Sequence, residues 1–415
     1  MTPLKMKTPI LAFAILCALV AAIAQPAHSQ TESVLYTFCS LPECADGSVP
    51  EGLILDAQGN LYGVTNSGGA HCCGTLFELS PTGTEAVLHS FGGGVNAKPQ
   101  GLIQDAKGNL YGATAGVGLS HRDVYYGSVF ELKKRSFKHL YVFTGDKNES
   151  RGAVPQRGMI MDARGNLYGT TFEGGTHQNA GTVFRLTPSG AEKVLYSFTG
   201  FPDGGWPNDG LVQDSRGNFY GTTSEGGDLS KCPNGCGVVF ELSPDGTETV
   251  LHAFEAGLDG AIPIAGLTID SLGNLYGTTD SGGAGCWATG GCGTVFKIDP
   301  NGNETVLYSF TGGMDGSEPY SRVVLDAQGN LYGNTYLGGG SGSCYFGCGT
   351  VFRLTPAGQE TVLYRFSGGA DGAAPSADLI MDASGNLYGT TTGGGQSGDC
   401  SADLPGCGVV FKLTP

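Results

Sequence analysis

Five aspartates, Asp46, Asp203, Asp259, Asp315 and Asp371, are each followed by glycine and, four residues on, by Pro50, Pro207, Pro263, Pro319 or Pro375. A ring of such carboxylates around a channel mouth would suit cations or polyhydroxy ligands. The competing reading is that Asp-Gly makes a turn and proline stiffens it. Repetition favours the turn, because a site needs asymmetry while a scaffold needs the same turn every time. No loop carries the dense Asp-x-Asp-x-Asp pattern of a calcium site, and neither metal nor cofactor is expected. Asp203, Asp259, Asp315 and Asp371 stay as candidate ligand contacts.

Aromatic residues make a second set. The chain has two tryptophans, Trp206 and Trp287, and Tyr320, Tyr345 and Phe346 lie in equivalent loops. Flat rings on pinned loops suit stacking on sugars or burial in a partner's pocket, although each could instead fold over its own loop. His71, His121 and His177 form a third set, able to ligate a metal or act as a base if their loops reach inward to meet. No catalytic set is complete, so the reading leans away from an enzyme. The alternative is a lyase or glycosidase using these histidines or a loop pair such as Asp259 and Asp315, with carboxyls about 5–9 Å apart.

Twelve of the thirteen cysteines lie beyond residue 29, ten of them in close pairs: Cys39/Cys44, Cys232/Cys236, Cys286/Cys292, Cys344/Cys348 and Cys400/Cys407. Local pairs in even number read as disulfides. Zinc is the rival, but these loops hold no histidine and each offers two thiolates, half of a structural site. Rings this small contribute about 2 kcal/mol each through loop entropy, so they pin loops rather than hold the domain. Cys72 and Cys73 are adjacent, either a vicinal disulfide or two free thiols.

The elements that position these residues come from a repeat. Gly-Asn-Leu-Tyr-Gly recurs with its asparagine at Asn60, Asn109, Asn166, Asn218, Asn274, Asn330 and Asn386, and only the fourth copy differs, with Phe219 for leucine. Spacings of 49 to 57 residues imply one supersecondary unit, and four-stranded units of this size mark a β-propeller. Residues 266–310 serve as template. Strand A is 266–270, a tight turn precedes strand B at 274–279, a long loop leads to strand C at 293–298, and a hairpin turn to strand D at 304–310. The last repeat stops at Pro415 without a D strand, and residues 33–38, Ser-Val-Leu-Tyr-Thr-Phe, match one in kind. The expected fold is all-β: a seven-bladed propeller of four-stranded blades, closed by that N-terminal strand completing the last blade and removing a raw edge. A–B and C–D turns share one face, short and uniform. B–C and D–A loops share the other, long and variable, where binding surfaces are usually built.

The unit Gly-Asn-Leu-Tyr-Gly-Thr-Thr, Gly-Gly, Gly-Thr-Val-Phe-Lys-Leu, Thr-Val-Leu-Tyr-Ser-Phe-Thr-Gly-Gly-x-Asp-Gly, over residues 33–415, resembles the bacterial GloVer-type (Gloeo/Verruco) tandem-repeat family. That group is secreted, and its members carry differing surface anchors. The resemblance implies the repeat fold and export; it brings no activity and no catalytic residues. A looser similarity, in the Gly-Asn and Thr-Pro-x-Gly turns, runs to streptogramin lyase-like propellers.

Lys5 and Lys7, the apolar stretch from Ile10 to Ala24, and a small-x-small exit after Ser29 read as a signal peptide over residues 1–29, with a single domain over 30–415. Removing the leader takes two of 22 basic residues and none of 38 acidic ones, leaving a formal charge of −18. Such a surface should repel nucleic acid. The reading expects an extracytoplasmic monomer, secreted or periplasmic, with no membrane span in the mature chain. Its expected role is a binding module for carbohydrate or protein on the B–C/D–A face.

Overall fold

The computed structural model describes residues 31–116, 126–144, 151–177, 179–286, 291–340, 343–395, 400 and 405–414; the expected leader lies outside them. Seven antiparallel sheets follow one another along the chain, each with strands in the order A-B-C-D from the channel outward. Blade five is representative: Thr268–Ile269, Leu275–Thr279, Thr294–Ile298 and Glu304–Ser309. In blade three the innermost strand is split into Gly152–Pro155 and Ile160–Met161, both paired to Leu167–Gly174. From blade four onward strand A shrinks to two residues, as in Val212–Gln213 and Ile380–Met381, shorter than the five expected. Pairing to strand B stops there, and the residue just before each short strand, Leu211, Leu267, Val323 or Leu379, is buried in the core between blades.

Blade seven takes its outer strand from the N-terminus. Thr31–Thr37 pairs antiparallel with Val409–Thr414, from Thr31 opposite Thr414 to Thr37 opposite Val409. The register slips between Val34 and Tyr36, leaving Leu35 as a bulge. The same slip recurs between strands C and D in the other six blades, for example opposite Val295 and Phe296. A bulge adds local twist, so the N-terminal segment carries the strand-D twist as well as its hydrophobic pattern.

The core is a set of seven repeated contacts between blades. The phenylalanine just past each strand D meets the strand-C phenylalanine of the next blade at 5.0–5.5 Å between centroids: Phe38–Phe77, Phe91–Phe130, Phe143–Phe184, Phe198–Phe240, Phe254–Phe296, Phe310–Phe352 and Phe366–Phe411. All are tilted or edge-on, the arrangement the ring quadrupole favours. The second glycine of Gly-Asn-Leu-Tyr-Gly exists for this ring: a Cβ on Gly277 would stand 2.5 Å from Phe296 Cζ. The rest of the motif closes the A–B turn. Asp270 Oδ1 accepts from the Leu272 and Asn274 amides at 2.8 and 2.9 Å, and Oδ2 from Asn274 Nδ2 at 2.7 Å and the Tyr276 hydroxyl at 3.1 Å. These bonds hold Asp270 below its usual carboxylate range against the opposing effect of partial burial, and the six equivalent aspartates from Asp56 to Asp382 behave likewise.

A different carboxylate repeats at the rim. Glu85, Glu248 and Glu360 open their D strands half-buried beside the preceding blade, and each is pushed up to about 7, first by burial and then by Asp46, Asp203 or Asp315. The sign follows from linkage: an acid with a raised folded-state pKa stabilises fully below its unfolded value of about 4.5, and that stability is lost as pH rises through about 7. Thermal midpoints should therefore fall between pH 4.5 and 7. The triple variant Glu85→Gln, Glu248→Gln, Glu360→Gln should flatten that slope in a pH series of melting curves; an unchanged slope would remove these groups as its cause.

Candidate functional site: the channel mouth

Each blade carries a proline where the D–A loop enters the innermost strand, within that strand in blades one to three and before it in blades four to seven. The residue after the proline faces the central channel. In blade order these are Glu51, Gln100, Gln156, Asn208, Ile264, Tyr320 and Ser376, and all seven line one cavity of about 370 Å³. Arg157, Tyr336 and Thr392 complete its wall. Tyr336 and Thr392 each follow strand B, so the cavity opens on the B–C/D–A face. Proline fixes the direction of entry in each blade. The scaffold repeats seven times, then, while the residue it presents is mostly different each time.

Below this ring lies a charge cluster assembled from five blades. Asp209 has a fully buried side chain, with Arg157 Nε at 3.6 Å and Arg322 Nη2 at 3.4 Å. It also accepts from the amides of Gly210 at 2.6 Å and Gly266 at 3.0 Å. Arg157 reaches Glu51 at 3.3 Å, and the Arg322 amide donates to Asp378 at 2.8 Å. Burial pushes Glu51 up against the opposing pull of Arg157, and burial with the nearby Asp209 charge raises Asp378. Three carboxyls therefore share two guanidinium groups. Glycines at 52, 101, 158, 210 and 266 occupy the place that Arg322 and Asp378 fill in blades six and seven.

Tyr320 stacks on Tyr336 with centroids 5.0 Å apart and planes 19° from parallel, and its hydroxyl donates to Glu318 at 3.4 Å. Asp280, the blade-five counterpart of Tyr336, is pushed up to about 6 by burial and then by the Glu318 charge. Below about pH 6 that carboxyl holds a proton and can donate a hydrogen bond as well as accept one.

Of the aromatic residues singled out from sequence, Tyr320 belongs to the ring. Trp206 is half-buried in its loop, its amide bonded to the Ala180 carbonyl and its own carbonyl accepting from Ser224. Tyr345 and Phe346 form an edge-on pair at the tip of the Cys344–Cys348 loop, 94% and 70% exposed. Trp287 and His121 lie outside the described residues. His71 and His177 are exposed, and neither joins a metal-ligand group among the described residues.

The Asp-Gly carboxylates serve their own turns. Asp203 accepts from the Tyr196 hydroxyl at 2.6 Å and from the Thr199 amide and hydroxyl. Asp315 and Asp371 repeat this with Tyr308 and Thr311, and with Tyr364 and Ser367. Asp259 takes the Glu255 amide at 2.9 Å and lies 3.4 Å from His252 Nε2. None of the four lines the cavity.

The five cysteine pairs are disulfides as expected, and Cys72–Cys73 is bonded as well. Their placement shows what the loops are pinned to. Cys236 is fully buried and packs with Val239, Phe254, Ala261 and Leu267 between blades four and five, so it is a core residue with no surface to offer a ligand. Cys292, Cys348 and Cys407 are buried in the corresponding clusters of their own blades. The cause is position: each directly precedes the glycine that opens strand C, so the chain has already entered the sheet. The first cysteine of each pair stays only partly buried, and the bridge therefore ties a loop to the core.

Comparison with known proteins adds the family and the fold. A profile of the Gloeobacter/Verrucomicrobia repeat matches residues 23–151, 123–346 and 289–415. No curated protein sequence matches the chain. Among solved structures, a streptogramin B lyase is similar at a TM-score of 0.58 and 14% identity, covering 93% of this chain and 97% of that one. The virginiamycin B lyase of Staphylococcus aureus gives 0.56 and 13%, covering 93% and 99%. At these identities the likeness is one of fold.

Proposed function

Since the chain belongs to the Gloeobacter/Verrucomicrobia repeat family, whose seven units are built here around one cavity, we propose that it is an extracytoplasmic binding module taking a small carbohydrate into the channel mouth. The observation that carries this reading is the post-proline ring. Two glutamines, an asparagine, a carboxyl and a serine hydroxyl supply donors and acceptors from every side, while the stacked Tyr320–Tyr336 pair supplies an aromatic surface. Sugars need that combination, many directional hydrogen bonds plus an aromatic plane. The volume suits a small ligand, being near the lower end of the usual range of about 300–1,000 Å³. Six disulfides are compatible with an oxidising compartment, and no described helix is long and apolar enough to cross a membrane.

A second reading, an enzyme acting on such a ligand, draws on Asp280, whose raised pKa suits a general acid. Calorimetric titration with a panel of mono- and disaccharides, with product analysis of the mixtures, tests both. The variant Ile264→Trp is the control, because it fills the cavity while removing no polar group. Saturable binding by the wild type and its loss in Ile264→Trp support the module; conversion of a bound sugar supports the enzyme. Absence of binding across the panel would refute the carbohydrate assignment.

A further inference from the structure

Taken one loop at a time, each cysteine pair is half of a zinc site, and folding joins two halves. The Sγ atoms of Cys39, Cys44, Cys400 and Cys407 all lie within 4.8 Å of one another, the one such metal-ligand group among the described residues. The two pairs come from opposite ends of the chain. Cys39 follows Phe38 directly after the N-terminal strand, and Cys407 directly precedes Gly408, whose carbonyl accepts from the Phe38 amide at 3.1 Å. Ring closure therefore places the four sulfurs together.

The other blades show why this happens once. In blade five the Cys286–Cys292 bridge lies against its own D–A loop: Cys286 Sγ is 3.2 Å from the Thr311 carbonyl, and a Cβ on Gly312 would collide with both sulfurs. In blade six Gly368 stands in the same relation to Cys344 and Cys348. Blade seven alone has cysteines in that stretch: Cys39 takes the place of Thr311 and Ser367, with Cys44 five residues later.

We infer that the ring-closing junction is a redox-gated zinc site: two disulfides when oxidised, and a four-thiolate tetrahedral Zn²⁺ site when reduced. Zinc–thiolate bonds of about 2.3 Å place tetrahedral sulfurs about 3.8 Å apart, so sulfurs of different pairs draw together by up to about 1 Å. The two sulfurs of each pair, about 2 Å apart when bonded, separate by roughly 1.7 Å once reduced. Cys407 is buried and the other three are partly so, which limits competition from water. Two equivalents of a dithiol reductant convert the two disulfides into four thiols and are themselves oxidised to disulfides. Zn²⁺ then displaces about four protons, because free thiols are mostly protonated near pH 7. The chain's acidic balance favours a cation.

The test uses the full mature chain, reduced with a water-soluble phosphine without oxygen and freed of metal. Titration with Zn²⁺ against a chromogenic chelator should give one tight site per chain, and Co²⁺ in its place should show tetrahedral thiolate bands. Zn²⁺ should also raise the melting temperature of the reduced chain. The Cys39→Ser/Cys44→Ser and Cys400→Ser/Cys407→Ser variants should each weaken the site by at least about 100-fold, while Cys232→Ser/Cys236→Ser leaves it intact. The inference is overturned if the reduced chain melts at the same temperature with and without Zn²⁺, or if tight binding survives in the Cys39→Ser/Cys44→Ser variant.

Discussion

Replacing Phe38 with alanine is expected to cost about 3–5 kcal/mol, the usual range for truncating a buried phenylalanine. The ring has no exposed surface, meets Phe77 at 5.0 Å, and packs with Leu53, Leu61, Leu79, Cys407 and Val410. It directly follows the strand Thr31–Thr37, whose one sheet partner among the described residues is Val409–Thr414. The loss should therefore appear in chemical denaturation as a lower midpoint, because the weakened interface also lets blade seven open an edge. Phe310→Ala is the internal comparison, with the same contact to Phe352 at 5.2 Å in the middle of the chain. Equal or greater loss at Phe38 is the expected outcome. A loss at Phe38 far smaller than at Phe310 would mean that the N-terminal strand is not what closes the ring.

The second large effect is expected at Asp209. Its carboxylate has no exposed surface, stands between Arg157 and Arg322, and accepts two backbone amides. Asp209→Ala leaves two guanidinium groups beside each other and two amides without their acceptor. Breaking a buried ion pair from one side typically costs about 3–5 kcal/mol, because the uncompensated charge remains. Removing the partner as well should recover part of that loss, so Asp209→Ala/Arg322→Ala should be less destabilised than the two single changes added together. Additive losses would show that the two groups are not coupled, and that the cluster does not brace the channel.

The order of these residues along the chain explains what sequence could reveal. The blade count, the A–B turn, the ring closure and the five cysteine pairs depend on residues close together or repeated at a fixed interval. The closing strand was legible because Val34-Leu35-Tyr36 repeats Val306-Leu307-Tyr308, bulge included. The burial of Cys236 was not, because spacing gives the partner of a cysteine and not the depth at which the bridge sits. The charge cluster was not legible either, because Arg157, Asp209 and Arg322 are distant in sequence and none repeats.

The seven residues after the D–A prolines were within reach. Aligning the copies on Pro50, Pro99, Pro155, Pro207, Pro263, Pro319 and Pro375 reads out Glu51, Gln100, Gln156, Asn208, Ile264, Tyr320 and Ser376 directly. Tyr320 stood out as an aromatic residue, while two glutamines and an asparagine in loops look like ordinary solvated positions. Asp203, Asp259, Asp315 and Asp371 are conspicuous because they repeat, and they are engaged in the turn hydrogen bonds that repetition serves. Counted loop by loop, the sequence offers two thiolates at a time, too few for zinc; that count omits the pairing of opposite ends that a closed ring brings about.

The central claim is that ligand enters the cavity ringed by the post-proline residues, and occlusion tests it most directly. The measurement is calorimetric titration of wild type and Ile264→Trp with the tightest-binding saccharide of the panel, at matched fold stability. The account predicts saturable binding to the wild type and at least about a tenfold loss of affinity, roughly 1.4 kcal/mol, in the plugged variant. Unchanged affinity in Ile264→Trp, with loss instead in Tyr345→Ala/Phe346→Ala, would contradict it and move the site to the loop tip of blade six.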